Sequence, residues 1–174
     1  MVKPICTVMV GLPALGKSTF IENIRDSDTW IYSTDMYIDV VAEDNGITYS
    51  EAFASNIQAA TEFNEQKLES MIRLRKDIIF DQTNLGLKKR RKIINRMKAA
   101  GYQVNCICLL HPEAGHFDDL KAWKYRLNNR PGKVIPNHVL SNMMEAFVVP
   151  TLGEGFDKIT YYNMYGMEVQ YDKD

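Results

Sequence analysis

Short unbroken apolar runs alternate along this chain with stretches of helical periodicity, and that alternation constrains the fold more than any other feature. Residues 5–10 (ICTVMV), 30–33, 77–80 (DIIF), 104–110 and 158–162 read as strands. Between them, residues 17–25, 35–43, 50–75, 87–100, 117–129 and 137–147 read as helices. Phe53, Ile57, Ala60, Phe63, Leu68 and Ile72 are expected to face inward on the long third helix, and Ile93, Ile94 and Met97 on the fourth. The strand runs are too continuously apolar for a sheet that is wet on one face. They predict an α/β fold: a five-stranded, mainly parallel sheet with helices on both faces. Tyr165-Gly166 offers a turn that would return residues 167–171 as a hairpin.

At 174 residues the chain has the length of one domain, and 45% hydrophobic with 25% charged residues excludes disordered, collagen-like and disulfide-scaffold classes. A net charge of −1 provides no overall attraction to a nucleic acid or an anionic membrane, so any polyanion must meet a local patch. No apolar run is long enough to span a bilayer, and the first residues lead straight into a strand, so a cytoplasmic protein without a membrane partner is expected. Cys6, Cys106 and Cys108 lie in apolar runs without metal-ligand spacing and read as buried thiols.

The ligands of such a sheet sit beyond the carboxyl ends of its strands. There, Gly11-Leu12-Pro13-Ala14-Leu15-Gly16-Lys17-Ser18 fits the phosphate-loop pattern directly between an apolar strand and a helix. Glycines at 11 and 16 let successive N–H groups converge on phosphates, Lys17 neutralises the outer phosphate oxygens, and Ser18, with Thr19 beside it, suits Mg²⁺. ATP and Mg²⁺ are the expected ligands, with Gly11, Pro13, Gly16, Lys17, Ser18 and Thr19 around the nucleotide. Asp81, closing the DIIF strand, is placed to act on Mg²⁺ together with Ser18, although it also reads as a turn or helix cap.

A phosphate loop alone does not separate a motor, a switch and a kinase, so the acceptor side has to come from other strand ends. Asp35 follows the second strand, where a carboxylate can take the proton of an incoming hydroxyl; alone, it reads equally as a helix N-cap. Gln82-Thr83-Asn84 follow Asp81 with short polar side chains suited to holding an acceptor, or to a simple turn. Arg126 and Arg130 lie four apart before Pro131-Gly132, with Lys133 beyond. Two forked guanidiniums on a hinged segment suit a lid over ATP, and equally a solvated helix face.

Taken together, GLPALGKST, Asp35, DQTNLGLKKRR at 81–91 and RLNNRPGKVIPNHVLSNM at 126–143 resemble the kinase domain of phage and bacterial polynucleotide kinases, over about residues 5–147. The resemblance implies a single P-loop kinase domain with a helical lid, transferring the γ-phosphate of ATP to a 5′-hydroxyl of DNA or RNA. It implies that Lys17 and Ser18 bind ATP and Mg²⁺, that Asp35 is the general base, that Thr83, Asn84 and Arg91 border the acceptor, and that Arg126 and Arg130 are lid arginines. Where the phage family member has an arginine three residues after the base, this chain has Ile38. A kinase for a nucleoside, nucleotide, other small molecule or hydroxylated DNA base is the first rival reading, and a non-catalytic nucleotide-binding switch the second.

The one dense basic run, Lys88-Lys89-Arg90-Arg91-Lys92, reads either as a contact for a nucleic-acid backbone or as a solvated helix face. Trp123, Tyr125 and Tyr37 are able to stack on a base but are expected to pack. His111, His116 and His138 are too scattered for a proton relay. Met143, beside Val139, Leu140 and Phe147, is expected in the core with Met144.

Overall fold

The computed structural model describes residues 2–112 and 117–171, and His116 lies outside them. Its elements run β1 (Ile5–Val10), α1 (Lys17–Ile24), β2 (Trp30–Tyr32), α2 (Thr34–Asn45), α3 (Tyr49–Arg73), β3 (Ile78–Phe80), α4 (Leu87–Ala99), β4 (Gln103–Leu109), α5 (Phe117–Asn128), α6 (Asn137–Ala146), a 3-10 turn (Leu152–Glu154), β5 (Lys158–Tyr162) and β6 (Glu168–Val169). The strands form one sheet in the order β2-β3-β1-β4-β5-β6, of which the first five are mutually parallel. The crossovers place β1 between β3 and β4, with Cys6 level with Ile78 on one side and Val104 on the other.

Strand alternation divides the core into two layers. Cys6, Val8 and Val10 of β1, Phe80 of β3 and Val104, Cys106 and Cys108 of β4 pack under Leu68 of α3 and Ile94 and Met97 of α4. On the other face, Met9, Ile79 and Leu109 pack with Ile21 of α1, Trp123 of α5 and the half-buried Leu140 and Met143 of α6. All three cysteines are buried and unbridged. Among the described residues no helix is long and apolar enough to cross a membrane.

Three expectations need correction. The sheet has six strands, because β6 pairs antiparallel to β5 with Tyr161 level with Val169. The turn that folds it back is held by Asn163, whose side-chain oxygen accepts from the amides of Tyr165 and Met167, with Gly166 at φ 79°. On α3, Phe53 and Phe63 point outward, 40% and 52% exposed. The buried line runs instead through Ala52, Ala60, Asn64 and Leu68, because α3 serves two neighbours: small alanines admit α2 closely, and Leu68 meets the sheet. Met144 is 41% exposed on α6, a helix with no fully buried residue.

Candidate active site

Three adjacent strands, β2, β3 and β1, deliver their carboxyl ends side by side, and the candidate residues follow those ends. The phosphate loop leaves β1 at Gly11, whose amide donates to the Thr83 carbonyl at 3.1 Å. A Cβ at Gly11, where φ is +155°, would sit 3.1 Å from the Leu109 carbonyl oxygen, so the close approach of β4 requires a glycine there. Pro13 is pinned from the opposite side by Trp123, which is fully buried and donates from its indole to the Pro13 carbonyl at 2.8 Å. Trp123 therefore supports the loop rather than presenting a stacking face; His111 meets its ring edge-on at 4.7 Å.

Gly16, at φ 97°, caps α1 without a side-chain bond, and no acidic residue stands in the first turn of that helix. Its amides and the exposed Ser18 and Thr19 hydroxyls are thus left facing out, which suits phosphate oxygens and a magnesium ion. Lys17 Nζ donates to the carbonyls of Gly11 and Leu12, each at 2.9 Å. Burial pulls its ammonium down to about 8; Asp81 and Asp35 push it up, and Arg130 pushes it further down. Burial in turn raises the half-buried Asp81 above the ordinary carboxylate range, opposed by Lys17, reinforced by Asp35 and opposed by Lys133. A desolvated cation beside a desolvated carboxylate at a helix N-terminus is a donor set that fits a polyphosphate with Mg²⁺.

Asp35 is not the helix cap: Ser33 is, accepting from the Met36 amide at 3.3 Å, and Asp35 stands exposed in the first turn of α2. The β2–α2 junction is clamped by Asn64, whose amide bonds both the Ser33 N–H and C=O at 3.2 Å. Asp35 Oδ1 accepts from the Tyr49 hydroxyl at 2.7 Å. Burial, followed by that hydrogen bond, holds the Tyr49 phenol above the ordinary tyrosine range. Ile38, one helical turn on, is fully buried between α2 and α3, so a long cation at that position would have to displace the helix pair.

Thr83 is half-buried at the end of β3, next to the phosphate loop that its carbonyl tethers. Asn84 does not face an open acceptor space. It is fully buried in a left-handed conformation, φ 46°, and its amide nitrogen donates to the Met9 carbonyl at 2.8 Å, lacing β3 to β1. Arg90 leaves the exposed basic run. It is fully buried, paired through two bonds of 2.7 Å with Glu154, and it donates to the carbonyls of Asn84 and Leu85 at 3.1 and 2.6 Å. Arg91 stays exposed, on the rim of a groove of about 290 Å³ with Leu87, Val148 and Thr151. Tyr125 is 70% exposed and His138 is exposed; Tyr37 packs tilted against Phe63, ring centres 5.4 Å apart.

The two arginines expected on a lid part company. Arg130 lies within electrostatic reach of Lys17 and Tyr49. Arg126 instead donates to the Met164 carbonyl at 2.9 Å and lies 5.8 Å from the centre of the Tyr165 ring, against the β5–β6 hairpin. The structure thus gathers Lys17, Asp35, Asp81 and Arg130 with Lys133 and Tyr49, while Arg126, Arg91 and Asn84 stand at its margins or beneath it. The roles of Tyr49 and Asn64 and the burial of Arg90 are missing from the expectations drawn from sequence. Two had a usable signal: Arg90 lies four and seven residues before Ile94 and Met97, on their inward face, and Thr48-Tyr49-Ser50-Glu51 is a capping box, observed here with Thr48 and Glu51 reciprocally bonded, which puts Tyr49 first in the helix.

Comparison with known proteins bears on the same region. Residues 7–150 match the model of a family described as an AAA domain. Among solved structures, a candidate kinase from Chloroflexus aurantiacus superposes with a TM-score of 0.64 at 15% identity, covering 94% of this chain and 86% of that one. A chain of the PezAT chromosomal toxin–antitoxin system of Streptococcus pneumoniae superposes with a TM-score of 0.55 at 17% identity, covering 98% of this chain and 71% of that one. At these identities the likeness is one of fold, a mostly parallel sheet with helices on both faces.

Proposed function

The chain belongs to the AAA domain family, and from that premise we propose that it moves the γ-phosphate of ATP to the 5′-hydroxyl end of a nucleic acid. The observation that carries this reading is the convergence of Lys17, Asp81, Asp35 and Arg130 at the ends of three neighbouring strands, each within electrostatic reach of Lys17. A hydrolytic switch needs the loop and the magnesium site. A carboxylate across from them, exposed and held by its own hydrogen bond, is what transfer to a hydroxyl adds.

In this mechanism the loop amides and Lys17 hold the triphosphate tail, and Ser18 with Asp81 would hold Mg²⁺, which neutralises charge on the phosphates. Asp35 accepts the proton of the acceptor hydroxyl as its oxygen attacks in line, and Arg130 meets charge on the transferring group. Arg126 belongs to the lid through its helix and its hairpin anchor. The acceptor strand passes over the first turns of α4, where Lys88, Lys89, Arg91 and Lys92 carry no ion pair among the described residues, and next to Thr83.

A second reading has its own support. Helix α2 bears four carboxylates and no cation, the two cations of α3 lie in its last turns, and Ile38 lies in the core, so these helices offer no cation to a phosphate backbone beside Asp35 and tolerate a small hydroxylated acceptor or a hydroxylated base. One experiment separates the readings: γ-labelled ATP is offered with 5′-hydroxyl oligonucleotides, duplexes carrying hydroxylated bases, and nucleosides. Label on oligonucleotide 5′ ends supports the proposal; label on another acceptor supports the second reading; nucleotide binding without any labelled product rejects both. With the accepted substrate, Asp35→Asn should leave the Kd for ATP within about threefold and lower turnover at least ~100-fold. Turnover close to the unmodified protein removes Asp35 from the base role.

A further inference from the structure

The lid tip reaches the candidate base through a side chain that the mechanism above leaves unused. Following α5, residues 130–134 dock on the first turn of α3. Ser50 donates to the Gly132 carbonyl from its amide at 3.3 Å and its hydroxyl at 3.2 Å, and the Val134 amide donates to Ser50 Oγ at 3.2 Å. Lys133 Nζ sits 4.1 Å from the centre of the Tyr49 ring and 2.7 Å from Asp39 Oδ2. The same ring carries the hydroxyl that bonds Asp35. One aromatic side chain, fixed at its root by the Thr48–Glu51 capping box, is therefore touched on its face by the lid and joined at its tip to the carboxylate.

An exposed carboxylate in the first turn of a helix swings about two torsions, whereas a base has to hold one oxygen within hydrogen-bonding distance of the attacking hydroxyl. A bond to Oδ1 narrows both torsions and leaves Oδ2 for the acceptor. We propose that Tyr49 is a positioning residue that orients the Asp35 carboxylate and links that orientation to docking of the lid tip through Lys133. This rests on Asp35 acting as the base. Tyr49 makes and breaks no covalent bond: burial and the Asp35 contact keep its phenol protonated, so it remains a donor. Since coupling is reciprocal, a lid that docks tightens the base, and a base held by Tyr49 favours the docked lid.

The test compares the unmodified protein with Tyr49→Phe, Lys133→Met and Asp35→Asn, and with Tyr49→Phe in the Asp35→Asn background, using labelled ATP and a 5′-hydroxyl oligodeoxynucleotide. Tyr49→Phe retains the ring and is expected to lower kcat about 10- to 100-fold while KM for ATP stays within about twofold. In the Asp35→Asn background the same change should have no further effect, because there is no base left to orient. Unchanged kcat, or an equal loss in both backgrounds, overturns the positioning role. A second measurement needs no acceptor: hydrogen exchange at the Val134 amide should quicken roughly 3- to 10-fold in both Lys133→Met and Tyr49→Phe. Quickening in Lys133→Met alone overturns the link between lid and base. If Asp35→Asn turns over normally, or the oligonucleotide is not labelled, it is the reading of the reaction that fails, and the exchange result still decides the link. Should Tyr49→Phe not fold, Ser50→Ala replaces it: slower turnover with faster Val134 exchange supports the link, and unchanged turnover with faster exchange overturns it.

Discussion

Lys17 is the residue whose chemistry is most altered by its place in the fold. Burial brings its ammonium down to about 8, so the protein without nucleotide begins to lose that proton near the upper end of the physiological range. A triphosphate supplies negative charge in place of the water that burial removed, and raises the pKa again. Between about 8 and the ordinary lysine value near 10.5, the nucleotide complex thus holds a proton that the free protein has released. ATP binding should consequently take up close to one proton at pH 9 and none at pH 6.5, and affinity should weaken as pH rises above 8. Titration calorimetry in buffers of different ionisation enthalpy reads the uptake directly, and Lys17→Met should abolish it. Uptake that is the same at both pH values would mean that the Lys17 ammonium is not desolvated as described. Asp81 is its complement: burial lifts this carboxyl, and the neighbouring ammonium holds it back, so the two groups share one partly desolvated site.

Among the elements, α4 does two unrelated jobs with one basic sequence. Its seven cations look alike as a string, yet Arg90 is buried, Arg96 bridges Glu65 and Glu69 at 2.6 Å, and Lys98 meets Asp157. Arg90 holds the loop after β3 from behind, through the Asn84 and Leu85 carbonyls and through Glu154 of the 3-10 turn. Removing one member of such a pair strands the other charge away from water. Arg90→Met should therefore destabilise by roughly 3–5 kcal/mol in chemical denaturation, and pairing it with Glu154→Gln should recover a large part of the loss. A change below about 1 kcal/mol would show that the pair is not load-sharing with the loop. The remaining cations, Lys88, Lys89, Arg91 and Lys92, stand on the outer surface of the first turns. If they carry a nucleic-acid backbone, replacing all four with glutamine should lower oligonucleotide affinity and cut the salt slope by up to about four. An unchanged slope would return them to the role of a solvated face.

Across the whole molecule, charge is divided in a way that a net value of −1 conceals: α2 and α3 are acidic, α4 is basic, and Arg96 joins the two groups through Glu65 and Glu69. The sequence by itself determined the layers and the phosphate loop, because apolar runs, helical periods and a glycine-bounded loop are local patterns that burial and backbone sterics enforce over a few residues. Strand β5 and the start of α1 fall where their patterns put them, and Lys17, Ser18, Asp35 and Asp81 follow strand ends as expected. The partners of these residues were decided only by tertiary structure. Asn64 reaches Ser33 across 31 positions, Lys133 reaches Asp39 across 94, and Arg126 turns to a hairpin carbonyl 38 residues away. Nothing local distinguishes inward Ala60 from outward Phe63, because the choice depends on which neighbour the sheet order brings alongside. Strand order is a long-range outcome of packing two faces at once, and it alone sets β2, β3 and β1 next to one another so that their ends meet.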